Sequence, residues 1–241
     1  MKHIYKKKNQ WINKKNGNNF VNQNGASFFS YGEEQILKGI DFNIKKGEKV
    51  LIFGKNGCGK TTFMDILLRL EREKEGNVKV NDRKIEEFDM NSYLNKLAVV
   101  LTDFYLFHDT IKNNICLHQD ITEKEMEEII EVCGLHELIE QKGLEYNVGE
   151  NGEHLSAGQR QKICIARALA SKREFICMDE PTSNMDIESK QKLMRKLKQM
   201  KQGVLMISHD QDVLEYADKI IYIRNGMVEG QGTIEELGKK N

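Results

Sequence analysis

Residues 51–62 read L-I-F-G-K-N-G-C-G-K-T-T, a short apolar strand that ends in a glycine-rich turn. The turn matches the phosphate-loop pattern G-x-x-x-x-G-K-[ST]. Its glycines leave room for backbone N–H groups to approach phosphate oxygens. Lys60 adds a positive charge for the β- and γ-phosphates, and the Thr61 hydroxyl can ligate Mg²⁺. The stretch predicts a nucleotide site whose residues are Gly54, Asn56, Gly57, Cys58, Gly59, Lys60, Thr61 and Thr62.

The composition limits the possible functions. The chain has 241 residues, enough for a large core, with 37 basic and 37 acidic residues. This balance gives no general attraction to nucleic acid or to an acidic membrane, so we expect no nucleic-acid partner. The five cysteines show no C-x-x-C spacing, so neither a zinc site nor a disulfide framework is indicated. No apolar run reaches the roughly 18 residues of a membrane span.

The N-terminal part differs from the rest in charge. Six lysines precede the first acidic residue, Glu33, in a stretch rich in asparagine. We expect residues 1–26 to be a disordered basic tail, either a solvated arm or a contact to a membrane surface or partner. Residues 17–26 contain poor strand formers. The folded domain is therefore predicted to span 27–241.

Apolar runs separated by helical patterns predict an α/β chain. The predicted strands are 27–31, 36–44, 50–53, 76–80, 97–101, 175–178, 204–208 and 220–223. A helical insertion is predicted over about 103–170, including a helix that Thr122 caps and Glu125 completes as a capping box. Asp186 is predicted to cap a helix that runs to about Met200, and a short helix is predicted at 213–217. Tyr31 is either an aromatic that stacks on adenine or an ordinary core tyrosine.

Two carboxylates, Asp179 and Glu180, follow the strand at 175–178, and the chain's one proline comes next. The carboxyl ends of parallel strands are where open α/β sheets bind ligands. Asp179 can hold Mg²⁺, and Glu180 can orient and polarise an attacking water. The alternative is an Asp-Glu pair that caps a loop. His209 follows the strand 204–208 directly. A lone histidine is more often structural than catalytic, but its place at the end of a strand strengthens the case for a catalytic role.

Residues 155–159 read L-S-A-G-Q and precede a strongly helical run. Ser156 is a good N-cap residue, so we expect a second helix with an open, glycine-flanked N-terminus. Such a terminus is a second potential anion site.

Together, these motifs resemble those of an ATP-binding cassette (ABC) ATPase, over about residues 27–238. G-K-N-G-C-G-K-T-T resembles the Walker A loop, L-S-A-G-Q the family signature with Ala157 in place of glycine, and F-I-C-M-D-E-P-T-S the Walker B strand. S-N-M-D resembles the D-loop, and I-S-H-D carries the family's switch histidine, His209. The resemblance implies a P-loop NTPase core with a mostly parallel sheet, an antiparallel β subdomain and an inserted α-helical subdomain.

The resemblance also implies a mechanism. In the family, two cassettes face each other head to tail, as a homodimer or a heterodimer, and ATP with Mg²⁺ lies between them. Lys60, Glu180 and His209 would then be catalytic residues, with Tyr31 stacking on the adenine. Ser156, Gly158 and Gln159 would serve the ATP bound by the partner cassette.

The segments L-F-H-D-T-I-K-N-N-I (106–115) and V-G-E-N-G-E (148–153) resemble those of export-type cassettes. Glu150 would contact the membrane domain. Exporters usually fuse that domain to the cassette, so we expect a separate transmembrane subunit, or else a chain cut from a longer exporter. Either arrangement places the chain at the cytoplasmic face of a membrane.

One position departs from the family pattern. Thr102 stands where the family has the glutamine of the Q-loop, a residue that reaches Mg²⁺ and the attacking water. Threonine offers a hydroxyl ligand but is shorter, so we expect slower hydrolysis or altered coupling with ATP binding retained. The alternatives are a soluble cassette ATPase in assembly or translation, a DNA-repair cassette, and a regulatory subunit that hardly hydrolyses ATP. The repair cassette lacks support because no inserted coiled coil or zinc module is visible.

Overall fold

Two β-sheets organise the chain. A computed structural model describes residues 19–31, 34–71, 78–80, 83–117 and 119–238. The strands are β1 (Asn19–Tyr31), β2 (Glu34–Lys45), β3 (Lys49–Phe53), β4 (Lys79–Val80), β5 (Arg83–Lys84), β6 (Leu97–Val100), β7 (Phe175–Asp179), β8 (Gly203–Ser208), β9 (Lys219–Arg224) and β10 (Met227–Gly232). The α-helices are α1 (Lys60–Leu67), α2 (Met90–Leu94), α3 (Ile111–Cys116), α4 (Glu123–Cys133), α5 (His136–Lys142), α6 (Ala157–Ala170), α7 (Ile187–Gln199) and α8 (Ile234–Gly238).

The larger sheet has six strands in the order β10-β9-β3-β8-β7-β6. Every neighbouring pair from β9 to β6 is parallel, and only the edge strand β10 runs antiparallel to its neighbour. The smaller sheet has the order β2-β1-β4-β5, with antiparallel pairs. Together with the flanking helices, these sheets confirm the predicted α/β class with an antiparallel β part.

The apolar core lies on both faces of the larger sheet, because side chains alternate along buried strands. In β3, Val50 and Ile52 join a cluster that contains Phe63 of α1, whereas Leu51 joins the cluster on the other face. That second cluster packs α3 to α7 against the sheet. Among the described residues, no helix is both long enough and apolar enough to cross a bilayer.

Several local predictions are confirmed. Thr122 and Glu125 form a capping box at the start of α4. Asp186 caps α7 by accepting a hydrogen bond from the Ser189 N–H at 2.8 Å, and this bond lowers the pKa of the Asp186 carboxyl to about 2. Asn225 and Gly226 both have positive φ, as a two-residue hairpin between β9 and β10 requires. Each of these signals involves residues only a few positions apart.

The predicted start of the folded part is wrong by eight residues. Residues 19–26, predicted to be disordered, belong to β1, where Asn19 pairs with Lys45 and Asn22 pairs with both Asn43 and Lys79. Backbone hydrogen bonds to two neighbouring strands outweigh the weak strand propensity of asparagine and glycine. The rest of the predicted tail, 1–18, lies outside the described residues.

Two smaller elements differ from the predictions. The strand predicted over 76–80 is described only as β4, because residues 72–77 lie outside the described part. The helix predicted over 213–217 is a 3₁₀ segment, Gln211–Tyr216. Between β6 and β7 lie α3 to α6, in the part predicted to be a helical insertion, whose limits as a subdomain stay a prediction.

Candidate functional site

The predicted phosphate-binding, metal-binding and catalytic residues lie in or next to loops at one edge of the larger sheet. The glycine-rich turn follows β3, His209 follows β8, and Asp179 ends β7 with Glu180 directly after it. These three strands are adjacent and parallel, so their carboxyl ends meet. Thr102 follows β6, the next strand of the sheet. The sheet order therefore brings together residues that are more than 100 positions apart in the sequence.

The turn between β3 and α1 depends on its glycines. Gly57 and Gly59 have φ values of 78° and 99°, which disfavour other residues. A Cβ on Gly54 would lie 2.3 Å from the Ile223 carbonyl oxygen and 2.8 Å from the Cys58 Sγ. Cys58 is buried in the apolar cluster that contains Phe63, and this burial raises the pKa of its thiol.

Lys60 is the first residue of α1, and its side chain is only 5% exposed. Its Nζ donates hydrogen bonds to the carbonyl oxygens of Gly54 at 2.7 Å and Lys55 at 3.0 Å. These bonds hold the ammonium group over the loop. The first N–H groups of α1 point toward the same place, as helix geometry requires.

A cavity of about 440 Å³ lies at this loop. Its lining includes seven predicted nucleotide or metal ligands from the loop and from the position after β6: Asn56, Gly57, Gly59, Lys60, Thr61, Thr62 and Thr102. The two carboxylates, Asp179 and Glu180, complete the lining. Thr102 therefore lines the same cavity as Asp179 and the loop.

Asp179 is the buried carboxylate of the cavity, with 2% of its surface exposed. The Thr61 hydroxyl donates to its Oδ2 at 3.2 Å. Burial raises the pKa of Asp179, because water no longer stabilises its charged form. A buried carboxylate beside a hydroxyl is an oxygen donor set that suits Mg²⁺, so the residues present fit that ion.

Glu180 carries the second carboxylate, and its φ of 47° lies in the left-handed region. Its Oε1 lies 2.7 Å from the His209 Nδ1. The Ser208 hydroxyl donates to its Oε2 at 3.4 Å. The carboxylate is thus held from two sides at the end of the cavity. Sequence reasoning missed Ser208, although a hydroxyl directly before His209 in I-S-H-D was a usable signal.

The signature segment is arranged differently. The Ser156 Oγ accepts a hydrogen bond from the Gln159 N–H at 3.2 Å, and the Gln159 Oε1 accepts one from the Ser156 N–H at 2.9 Å. This capping box confirms Ser156 as the N-cap of α6. Among the described residues, Ser156, Gly158 and Gln159 do not line the cavity at the phosphate loop.

Tyr31 is the last residue of β1, and its side chain lies outside the described part of the structure. Its predicted stacking on adenine therefore stays a prediction.

Gln161, on α6, was not predicted as a site residue, yet its Nε2 donates a hydrogen bond to the Glu180 carbonyl oxygen at 3.1 Å.

Comparisons with known proteins agree with this geometry. The family model described as "ABC transporter" matches residues 37–183. An ATP-dependent lipid A-core flippase of Francisella tularensis subsp. holarctica (strain OSU18) is 34% identical over 215 residues, which cover 87% of this chain and 35% of the relative. A putative export ATP-binding/permease protein of Rickettsia bellii (strain RML369-C) is 35% identical over 218 residues, covering 88% and 38%.

A solved structure gives the same result. A bacterial Atm1-family ABC exporter with ATP bound matches with a TM-score of 0.83 and 26% identity, covering 92% of this chain and 40% of that one. The chain thus spans only about a third to two-fifths of the length of these relatives.

Proposed function

The chain belongs to the ABC transporter family, and we propose that it is the ATP-binding and ATP-hydrolysing part of an export-type transporter. The family predicted from the motifs is confirmed by a model match over residues 37–183. The observation that carries the proposed activity is the Glu180 carboxylate, held by His209 and Ser208 at the end of the phosphate-loop cavity.

In this proposal, the loop at 54–62 binds the phosphates of ATP. Lys60 is already held over the loop by two carbonyl oxygens, so little side-chain entropy is lost when it contacts the β- and γ-phosphates. The positive φ of Gly57 and Gly59 turns the loop around the anion.

Asp179, Thr61 and Thr102 would hold Mg²⁺, since all three line the cavity. When bound, the ion neutralises charge that develops on the β- and γ-phosphate oxygens. The Asp179 carboxylate needs a cation near it, because burial otherwise disfavours its charged form.

Glu180 would orient the attacking water and accept its proton. The 2.7 Å contact with the His209 Nδ1 fixes one carboxylate oxygen, and the Ser208 hydroxyl restrains the other. Preorganisation of this kind contributes to catalysis because the group does not have to reorient during the reaction.

We further propose that the site is completed by a second cassette arranged head to tail, in a homodimer or a heterodimer. Ser156 and Gly158 are exposed or half-buried, and they lie outside the lining of their own chain's cavity. An open helix terminus suits an anion supplied from elsewhere, which in this arrangement is the ATP on the facing phosphate loop.

A surface beside α3 is the proposed contact with a transmembrane subunit. Tyr105 and Phe107 are 56% and 46% exposed, and their rings meet edge to face at 5.4 Å. Arg167 donates to the Tyr105 carbonyl oxygen at 2.9 Å and lies over the Phe107 ring. The adjoining groove has a volume of about 1070 Å³. An exposed aromatic pair held rigidly in this way is typical of a protein interface.

Glu150 belongs to the same proposed contact, because the exporter-like segment that contains it leads to the signature. The partner would be a membrane subunit, which would place this chain at the cytoplasmic face of the membrane. The relatives named as a lipid A-core flippase and as export proteins support transport as the process that ATP drives.

Hydrolysis is tested with the purified chain, ATP and Mg²⁺. Glu180→Gln should lower kcat at least ~100-fold while ATP still binds, because the variant loses the proton acceptor and keeps the phosphate loop. Glu127→Gln, on the exposed face of α4, is the matched control and should leave kcat unchanged. Turnover that survives Glu180→Gln would contradict the catalytic assignment.

The membrane contact is tested by fractionating cells that contain the wild-type chain or Phe107→Ser. We expect the wild type with the membranes and the variant in the soluble fraction, because a polar residue weakens an aromatic interface. Met227→Ser removes a side chain of similar exposure (47%) on β10 and should not change the distribution. A wild-type chain that hydrolyses ATP and stays wholly soluble would instead support the soluble cassette ATPase.

A further inference from the structure

Gln161 is a fully buried polar residue on α6 that no predicted role includes. Its Nε2 donates to the Glu180 carbonyl oxygen at 3.1 Å and to the Ser183 Oγ at 3.3 Å. Its Oε1 has no hydrogen-bond partner within the described residues. The opposite amide orientation would set two acceptor oxygens against each other at Glu180, so the orientation follows from the contacts.

The Glu180 backbone is held in an uncommon conformation. A non-glycine residue with φ of 47° persists only when its surroundings fix it. The Glu180 N–H donates to the Ile207 carbonyl oxygen at 2.9 Å, and its own carbonyl oxygen accepts from Gln161 and from the Ser183 hydroxyl and N–H. The direction of the Glu180 carboxylate follows from this backbone, so Gln161 helps to aim it.

Gln161 also belongs to the helix that begins at the signature. It lies about one and a half turns after Ser156, roughly 7–8 Å along the helix axis. A helix moves as a rigid element over this length. Any displacement of the Ser156 end is therefore carried to the hydrogen bond at Glu180.

We propose that Gln161 is a positioning residue that connects the signature end of α6 to the catalytic carboxylate of Glu180. This inference rests on the proposed head-to-tail arrangement, in which Ser156 contacts the ATP of the facing cassette. Binding of ATP at one site then sets the aim of the Glu180 that acts at the other site.

The first test is Gln161→Met, which keeps the length and burial of the side chain and removes the amide. We expect kcat to fall about tenfold, with KM and the ATP Kd within twofold of wild type. The Tm should shift by less than about 3 °C, because the variant also removes a buried oxygen without a partner. The control is Gln141→Met on α5, an exposed glutamine whose amide donates to Glu137 of its own helix. A kcat within twofold of wild type, or a loss explained by KM, overturns the proposal.

Ser183→Ala tests the same contact without disturbing the core, since Ser183 is exposed. It should lower kcat a few-fold, and the double variant with Gln161→Met should be no slower than Gln161→Met alone. Fully additive losses would show that the two residues act separately and would overturn the proposal. If Gln161→Met does not fold, a Ser183→Ala kcat equal to wild type overturns it as well.

The connection between sites is tested in mixed dimers in which one protomer carries Lys60→Ala. In the wild-type background, loss of one competent site should reduce turnover by clearly more than twofold. With Gln161→Met in the competent protomer, the loss should be only twofold. A twofold loss in both backgrounds, or a larger loss in both, overturns the coupling. Glu180→Gln distinguishes failure of this inference from failure of the proposed function. Turnover that survives Glu180→Gln would refute the proposed function itself.

Discussion

The phosphate loop and the signature segment are built from similar parts but are completed in different ways. Each is a glycine-containing turn that opens a helix, α1 after Gly59 and α6 after Ser156. The first turn shares a cavity with Asp179 and Glu180, which come from another strand. The second turn is closed by its own capping box. A helix N-terminus thus becomes a reaction site only where distant residues converge on it.

The largest expected effect comes from removing a carboxylate at the phosphate loop, the feature that the signature segment lacks. Asp179→Asn should reduce hydrolysis more than ~100-fold, because an amide is a weak ligand for Mg²⁺. The same variant should raise the Tm of the ATP-free protein. Burial raises the pKa of Asp179, so ionising this carboxyl is less favourable in the folded than in the unfolded state, and a neutral amide removes this penalty.

The measurement is a thermal melt at pH 7, repeated at decreasing pH, beside the ATPase assay. Because a raised carboxyl pKa costs stability only above the unfolded pKa, the Tm advantage of Asp179→Asn should shrink as the pH falls toward 4. Each 1 kcal/mol corresponds to roughly 2–4 °C in a domain of this size. A Tm below that of wild type at pH 7 would show that Asp179 is stabilised in the folded state by its neighbours.

The second prediction tests whether one ATP site takes its phosphate loop from one protomer and its signature segment from the other. Lys60→Ala removes the ammonium from the phosphate loop, and Ser156→Arg places a bulky cation on the exposed signature end. Each homodimer should be inactive. A mixture should regain turnover, but less than about a quarter of the wild-type rate, since half of randomly paired dimers are mixed and each has one intact site without its coupled neighbour. The ATPase rate of the equimolar mixture checks this, and no recovery would contradict the head-to-tail arrangement.

The third prediction separates the fold of the signature from its function. The capping boxes of α4 and α6 have the same local hydrogen bonds, so Thr122→Ala and Ser156→Ala should each cost about 1 kcal/mol of stability. Only Ser156→Ala should reduce kcat, by about tenfold, because Thr122 belongs to no proposed site. Melting curves and ATPase rates of both variants decide the point. Equal ATPase rates would make Ser156 a structural cap alone.

The contrast between local and long-range contacts also explains which features could be predicted from the sequence. The caps at Thr122, Ser156 and Asp186 were predictable, because each involves residues three positions apart. The phosphate loop was predictable from its glycines and lysine. The strand at residues 19–26 was not, because its hydrogen bonds go to β2 and β4, far along the chain.

The residues around Glu180 show the same limit. His209 was predicted from its place after a strand, but Gln161 was not, because its contact with Glu180 depends on how α6 lies against the segment that follows β7. A buried glutamine in an amphipathic helix pattern gives no local signal of its partner. Long-range packing therefore decided the parts of the site that the sequence could not show.

The smallest expected effect concerns Thr102, which lines the cavity beside Asp179 without belonging to either turn. Thr102→Gln lengthens the side chain by about two heavy atoms, so its amide oxygen could reach the metal and water positions that the hydroxyl does not. We expect kcat to rise about two- to fivefold with an unchanged ATP Kd, since the phosphate loop is untouched.

The ATPase rate of Thr102→Gln, with and without membranes that contain the partner, measures both hydrolysis and coupling. Thr102→Ser keeps the hydroxyl and serves as the control, with a rate close to wild type. If Thr102→Gln changes neither the basal rate nor the stimulation by membranes, the cavity does not use this position for catalysis. The phosphate loop, Asp179 and Glu180 would then account for hydrolysis within one chain, and coupling would have to run through the signature helix.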